Sequence, residues 1–523
     1  ADPEDPQLRK LYGDAALASG NGGHAEIAYR RAIELGADPE SVRVSLARAL
    51  MLERDYRAVL ELSDVESGHD DAVRNELAVV RLHAELKLGA RDYGDLRREA
   101  EAIVRELDSL GDSESWPPQL LEELETISAD NTVVAAAFEH ARCHRRAVEG
   151  YEESATAAIL QGEREVIWVG PSRSVKTPAD AARIAVDGSI VAIDAADYPG
   201  GVAHWPQNRL TIVGVGGRPH IKADGRTIEG RDIWLFAGDD IRVENIAFSG
   251  ARSSTSFNGA GIRHTGSNLT VRHGFFHDND NGILTWKSLD GIVVIEHTEF
   301  AGNGYGDGLS HNVYIGETER LEFRYNYSHA SREGHLLKSR ARFNAIRYNR
   351  LTGEEGEVSY VIDLPNGGLA YIVGNVIEKA VESRNPYVIS FGEEGLSSDD
   401  SRLFVVNNSI YNRYDKTVLI RNASEQPALV INNLMGGATM GLVDGVHHGE
   451  GNTALPNHGM RDPRNHEFEL TATAAAIDAG LDPSQFGKRE MLAPVAEYVH
   501  PTSMRIRETV FRIDVGAHEY CGY

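Results

Sequence analysis

The chain has 523 residues, 41% of them hydrophobic and 25% charged, with a formal net charge of −26. That length allows two or more domains with separate cores, and no apolar run is long enough to span a bilayer. The acidity is evenly shared, net −13 in residues 1–150 and −13 in the remainder. Bulk charge therefore gives no attraction for nucleic acid. Two cysteines, Cys143 and Cys521, cannot build a disulfide framework or a cysteine-rich zinc site.

Residues 1–164 are rich in Ala, Leu, Arg and Glu at helical spacing. In LYGDAALASGNGGHAEIAYRRAIELGADPE, Gly13 and Ala16 fall on one predicted helix, Ala25, Tyr29 and Ala32 on the next, and Pro39 follows. SLARALMLERDYRAVLEL and NELAVVRLHAELKLGARDY repeat the theme more loosely. Small residues at these steps let paired helices approach closely, and the layout resembles a degenerate tetratricopeptide repeat. A generic helical bundle is the alternative. The resemblance implies a surface for a protein partner.

Near residue 165 the period changes. EVIWVG, GSIVAID and LTIVGVGG bring in β-branched residues and glycine. The glycines of Gly214-Val215-Gly216-Gly217 lack the lysine and helix of a phosphate loop. Short strands then recur as RVENIAF, TVRHGFF, VIEHTEF, FRYNYSH, IRYNRLT, IVGNVIE, VVNNSIY and VINNLMG. A polar residue stands at one phase of each: Asn245, His273, His297, Asn326, Asn349, Asn375, Asn408 and Asn433. Strands recurring every 23–33 residues with a turn asparagine indicate a parallel β-solenoid. The asparagines are expected to tolerate a left-handed turn and to bond from coil to coil as a ladder. On these features residues 165–523 resemble the right-handed parallel β-helix of the pectate-lyase-like superfamily. The segments DGSIVAIDAADYPGG and DVGAHEY fit that resemblance.

A second strand precedes each ladder residue: HNVYIGE, HLLKSRA, YVIDLPN, YVISFGE and VLIRNAS. If Val313, Leu337, Ile362, Ile389 and Ile420 face inward, alternation puts Tyr314, Lys338, Asp363, Ser390 and Arg421 outward in one column. Gly316, Arg340 and Pro365 follow two residues on. His311, Asn312, His335, Tyr360 and Tyr387 crowd the same coils, and Arg342 ends the basic strip.

Many members of the superfamily cleave or epimerise uronic-acid polysaccharides on such a face. That chemistry needs a base for the C5 proton, a cation or calcium for the adjacent carboxylate, and a proton for the leaving oxygen. KSRARFNAIRYN, with Lys338, Ser339, Asn344 and Asn349 in the pattern Lys-Ser-x4-Asn-x4-Asn, resembles the catalytic-lysine region of the alginate-lyase and chondroitinase-B group. The resemblance implies Lys338 as the base; a carboxylate beside it would hold it protonated and suit an acid instead, with His335, His311 or Tyr314 as the complementary proton carrier. Their placement on the strip offers Arg340 and Arg342 as a carboxylate clamp, and the crowding on consecutive coils offers Asn312, Asp363, Tyr360, Tyr387 and Glu393 as substrate contacts. Two calcium-binding glutamates of that group have one counterpart, Glu333, and an arginine of its next coil is replaced by Asp363. Calcium is thus a possible cofactor and no organic cofactor is expected.

The expectation is therefore a lyase or epimerase of acidic glycan in a periplasmic or secreted, extracytoplasmic setting. Two alternatives stand beside it. One is a non-catalytic glycan-binding scaffold of exopolysaccharide assembly. The other is a glycoside hydrolase drawing on Asp307, Asp363, Glu393 and Glu394. A Lys338–Asp363 pair with no role beyond the surface is the bland reading, and His447-His448 read as loop residues rather than metal ligands.

Overall fold

The computed structural model describes residues 5–63, 71–88 and 166–520, apart from positions 399, 416, 438, 455–458, 510 and 511. The chain divides into two compact units, one within residues 1–145 and one within 146–520. The boundary expected at 164/165 lies at the edge of a segment outside the described residues.

In the first unit the helices Pro6–Ala18, Gly22–Glu34, Arg43–Leu52, Tyr56–Ser63 and Asp71–Leu88 follow one another. Asp5 and Asn21 cap the first two, accepting the amides of Gln7 and His24. Gly13 faces Tyr29 so closely that a β-carbon there would lie 2.6 Å from the ring. The Tyr29 hydroxyl donates to Asp14 at 2.8 Å. Ala25, Tyr29, Leu46, Leu50, Leu77 and Val80 form a shared core. Small residues thus pack against Tyr29 in a helical core; the end of the third segment, beyond Leu88, is outside the described residues.

The second unit is a right-handed parallel β-helix, the handedness that parallel crossovers favour. A full coil gives one strand to each of three parallel sheets, which hold twelve, ten and eleven strands, and after the first two strands every third strand is a neighbour. Val169, Trp205, Ile262, Phe276, Phe300, Ile362 and Ile420 belong to one continuous core. The short helix Pro178–Ile184, capped by Thr177, packs Ala181 and Ala182 into that core at its first coils.

The polar repeat separates into two columns, one residue apart. The buried ladder is Asn326, Asn349, Asn375, Asn408, Asn433 and Asn452. The first five each donate from their own amide and Nδ2 to the next Oδ1 at 2.9–3.1 Å, and Asn452 ends the row, donating to the Val430 carbonyl. Thr298, not His297, precedes Asn326 in this row. Asn245, His273 and His297 belong instead to the column just before it. That column holds the left-handed corner, with φ of +54°, +52° and +50°, and is continued by Tyr325, Tyr348, Asn407 and Asn432. The expectation had merged the columns because Asn populates both. The ladder asparagines themselves need no positive φ; the residue before them makes the turn.

The corner column is where the C-terminal segment docks. His297 Nδ1 donates to the Thr502 carbonyl at 2.8 Å and the Val495 amide to Tyr348 Oη at 2.9 Å. Asn407 donates to the Asp514 carbonyl and Asn432 to that of Leu481, each at 2.8 Å. DVGAHEY holds this segment together. Asp514 accepts the amides of Asp478 and Tyr520, and buried Arg507 donates to Glu519 at 2.7 Å and to the carbonyls of Asp514 and Gly516.

Candidate functional site

The ten-strand sheet positions the site. Val313, Leu337, Ile362, Ile389 and Ile420 are fully buried, so the residue after each points outward. The register pairs Tyr314 with Lys338, Lys338 with Asp363, Asp363 with Ser390, Ser390 with Arg421 and Arg421 with Asp444. The outward column expected from alternation is therefore present, one coil apart at each step.

Its centre is a dense ion cluster. Lys338 Nζ lies 3.0 Å from Asp363 Oδ2 and 3.2 Å from Glu394 Oε1. Arg340 donates from Nε to the Tyr314 hydroxyl at 2.9 Å, from Nη2 to Glu394 Oε2 at 2.7 Å, and from Nη1 to Asn366 Oδ1. Side-chain exposure is 13% for Lys338 and 19% for Arg340 against 49% for Glu394, so the glutamate closes the cluster from the solvent side. Three coils from Lys338, Arg421 meets Glu393 at 2.6 Å and Asp444 at 3.1 Å, and Tyr387 donates to Asp444 at 2.7 Å.

The two carboxylates on Lys338 are pushed apart. Burial raises Asp363 against the pull of Lys338. Burial also acts to raise Glu394, but Arg340 and Lys338 outweigh it and hold Glu394 below its ordinary value.

The histidines form a stacked pillar beside this cluster. The His311 and His335 rings stack at 4.5 Å, and Tyr360 lies 5.2 Å beyond His335. His311 Nδ1 accepts the His335 amide and His335 Nδ1 accepts the Tyr360 amide, both at 3.1 Å. A neutral ring that accepts at Nδ1 carries its proton on Nε2, and His335 Nε2 stands 3.5 Å from Asp363 Oδ2. Burial, then Lys338 and Arg340, push His311 down to about 3. Burial and the neighbouring His311, Lys338 and Lys379 push His335 well below its ordinary value. Both rings act as neutral braces of adjacent coils.

Other expected residues are placed differently. Asn312 is fully buried; it accepts from Asn303 and donates to Ser328 Oγ and the His329 carbonyl. It is part of a second internal ladder, beyond a ligand's reach. Arg342 leaves the cluster and pairs with Glu319 at 3.6 Å. Glu333 is ion-paired with Arg384, and the described residues hold no cluster of three or more side chains suited to a metal. Asp307 accepts the Leu309 amide in its own loop, and His447-His448 lie on an exposed strand, His447–Glu450, not in a loop.

Two participants, Asn366 and Asp444, and one exposed neighbour, Trp286, escaped the sequence reading. Asn366, four residues after Ile362, accepts from Arg340. Asp444 is the register partner of Arg421. Trp286, two residues beyond the register position Leu284–Tyr314, is 60% exposed on the outward side. Extending the column by one further coil would have reached Asp444.

No described protein family matches this chain, and no curated protein sequence matches it. Among solved structures it is similar to pectate lyase Pel9A, with a TM-score of 0.44 and 13% identity over 69% of this chain and 98% of that one. Among the described residues no helix is long and apolar enough to cross a membrane.

Proposed function

We propose that the outward face of the ten-strand sheet processes an acidic, uronate-containing polysaccharide by β-elimination or the related C5 epimerisation. The observation that carries this reading is the grouping of Lys338, Arg340 and Arg421 on one face of a strongly acidic chain, with the Tyr314 phenol hydrogen-bonded to Arg340. Cations so placed would neutralise a uronate carboxylate and make its C5 proton removable. Tyr314 Oη would take that proton. Lys338 would protonate the O4 leaving oxygen as the C4–O bond breaks, leaving a 4,5-unsaturated uronate. Delivery of a proton by Lys338 to the face of C5 opposite Tyr314 would give epimerisation instead. Asp363 would orient Lys338, and His311 and His335 would hold the coils that carry Tyr314 and Lys338 in register. The setting that suits this activity is extracytoplasmic, with the helical unit available to a protein partner.

The test is the ultraviolet absorbance of unsaturated uronate on a panel of uronic-acid polysaccharides. A rise in the wild type that falls at least 100-fold in Lys338→Ala and in Tyr314→Phe is expected; no rise, together with no change in uronate stereochemistry, removes the reading.

The carboxylate pair on Lys338 supports a second reading, glycoside hydrolysis. Asp363 is shifted up and Glu394 down, the separation that an acid and its partner carboxylate require. It predicts new reducing ends without unsaturation, lost in Asp363→Asn and Glu394→Gln.

A further inference from the structure

The cations of the face are already neutralised, and the groups that do it come largely from one turn. Gly392-Glu393-Glu394-Gly395 follows the strand Tyr387–Phe391. Gly392 and Gly395 have φ of +81° and +92°, a backbone that glycine adopts without strain. The turn is fixed at its base: the Gly392 amide donates to the Leu364 carbonyl at 2.9 Å and the Glu394 amide to that of Pro365 at 2.8 Å. Only the two side chains project, and they diverge. Glu394 reaches back two coils to place one oxygen on Lys338 and the other on Arg340. Glu393 reaches forward one coil to Arg421. Both glutamates are more exposed than the cations they cover, 49% against 13% and 19%, and 36% against 31%.

This is how two carboxylates of a bound polyanion would sit. Lys338 and Arg421 stand three coil steps apart, roughly 14 Å at the usual strand spacing. Resting on the reading proposed above, we infer that Glu393 and Glu394 are internal stand-ins for substrate carboxylates, displaced when a polyuronate chain lays one carboxylate on Lys338 and Arg340 and another on Arg421. An exposed carboxylate on a flexible stem exchanges readily because a partly hydrated ion pair is weak. The turn need not open; rotation of two side chains frees both sites. Its consequence is selectivity. A neutral glycan cannot repay the lost ion pairs, and a monouronate repays only one set, so the face favours an oligomer with spaced carboxylates.

The experiment is calorimetric titration of the full chain with oligogalacturonate and oligoalginate, monomeric galacturonate, and a neutral oligoglucan, using wild type, Glu394→Gln and the Glu393→Gln/Glu394→Gln double variant. Glutamine keeps shape but gives up the charge that competes. The double variant is expected to bind an acidic oligomer at least tenfold more tightly than wild type, the single variant by a smaller factor, and the neutral glycan is expected to gain nothing. Glu394→Asp, which keeps the charge but shortens the reach, is the second probe if the glutamine variants fold poorly, and is expected to tighten binding too. Wild-type binding that is unchanged or weakened in the folded variants overturns the inference and leaves the glycan reading standing. Absence of binding by wild type and all variants removes both.

Discussion

Two stacks of polar side chains run along this solenoid at the same coil spacing and with opposite character. The inner stack, Asn326 to Asn452, repeats one residue type, carries no charge and satisfies itself: from Asn349 onward each Oδ1 receives two donors from the coil before. The outer stack, Tyr314 to Asp444, changes residue at every coil and is held by ion pairs that cross coils, several closed only by the Glu393–Glu394 turn. Identical groups stacked in the dry interior are a solution to burial, since each buried polar atom needs a partner and translation supplies it. Dissimilar charged groups have no such reason to stack, and the exposed pairs among them gain little stability, which is in keeping with the recognition role proposed above.

That contrast can be broken by substitution. Asn375→Ala should be the costliest change, roughly 4 kcal/mol, because it strands the Asn349 amide and Nδ2 and the Ile346 carbonyl in the interior; denaturant unfolding measures it, and a loss under about 1 kcal/mol would show the ladder to be ornamental. The pillar between the two stacks should report through pH. His311 titrates near 3 in the folded chain and near 6.5 when unfolded, so between those values only the unfolded chain takes up the proton. Stability is complete above 6.5 and drains as pH falls. From pH 7 to 5 this one group should remove about 2 kcal/mol, and the drop should be smaller in His311→Gln by that amount. Smallest of all, Arg342→Ala should move stability by no more than about 0.5 kcal/mol, since its exposed pair with Glu319 lies apart from both stacks. A larger effect would place Arg342 back in the cluster.

Much of the β-helix and of the outward column was legible because both follow from periodicity. Alternation alone put Val313, Leu337, Ile362, Ile389 and Ile420 inward and Lys338 beside Asp363. What periodicity cannot give is the partner from outside the repeat. Glu394 reaches Lys338 from 56 residues away, through a turn whose direction depends on two glycines. The one-residue error at Asn245, His273 and His297 has a physical cause as well. Left-handed corner and ladder are adjacent, asparagine suits both, and Asn407-Asn408 and Asn432-Asn433 fill both at once. The buried roles of Asn312 and His311 were hidden because polar residues are read as exposed until a backbone amide is found pointing at them.

The docking of the C-terminal segment on the corner column bears on how the molecule assembles. Coil-on-coil pairing closes loops of some 25 residues, cheap in chain entropy and able to advance one rung at a time. The bond from His297 to the Thr502 carbonyl joins groups 205 residues apart, and those at Asn407 and Asn432 join later coils to the same returning strap. Such contacts cannot form until the strap has been synthesised and the coils beneath it exist. Refolding should therefore run in two kinetic stages, rapid growth of a stack that already binds its own asparagines and a slower latching step. A protease added between the two would clip the strap while leaving the coils whole.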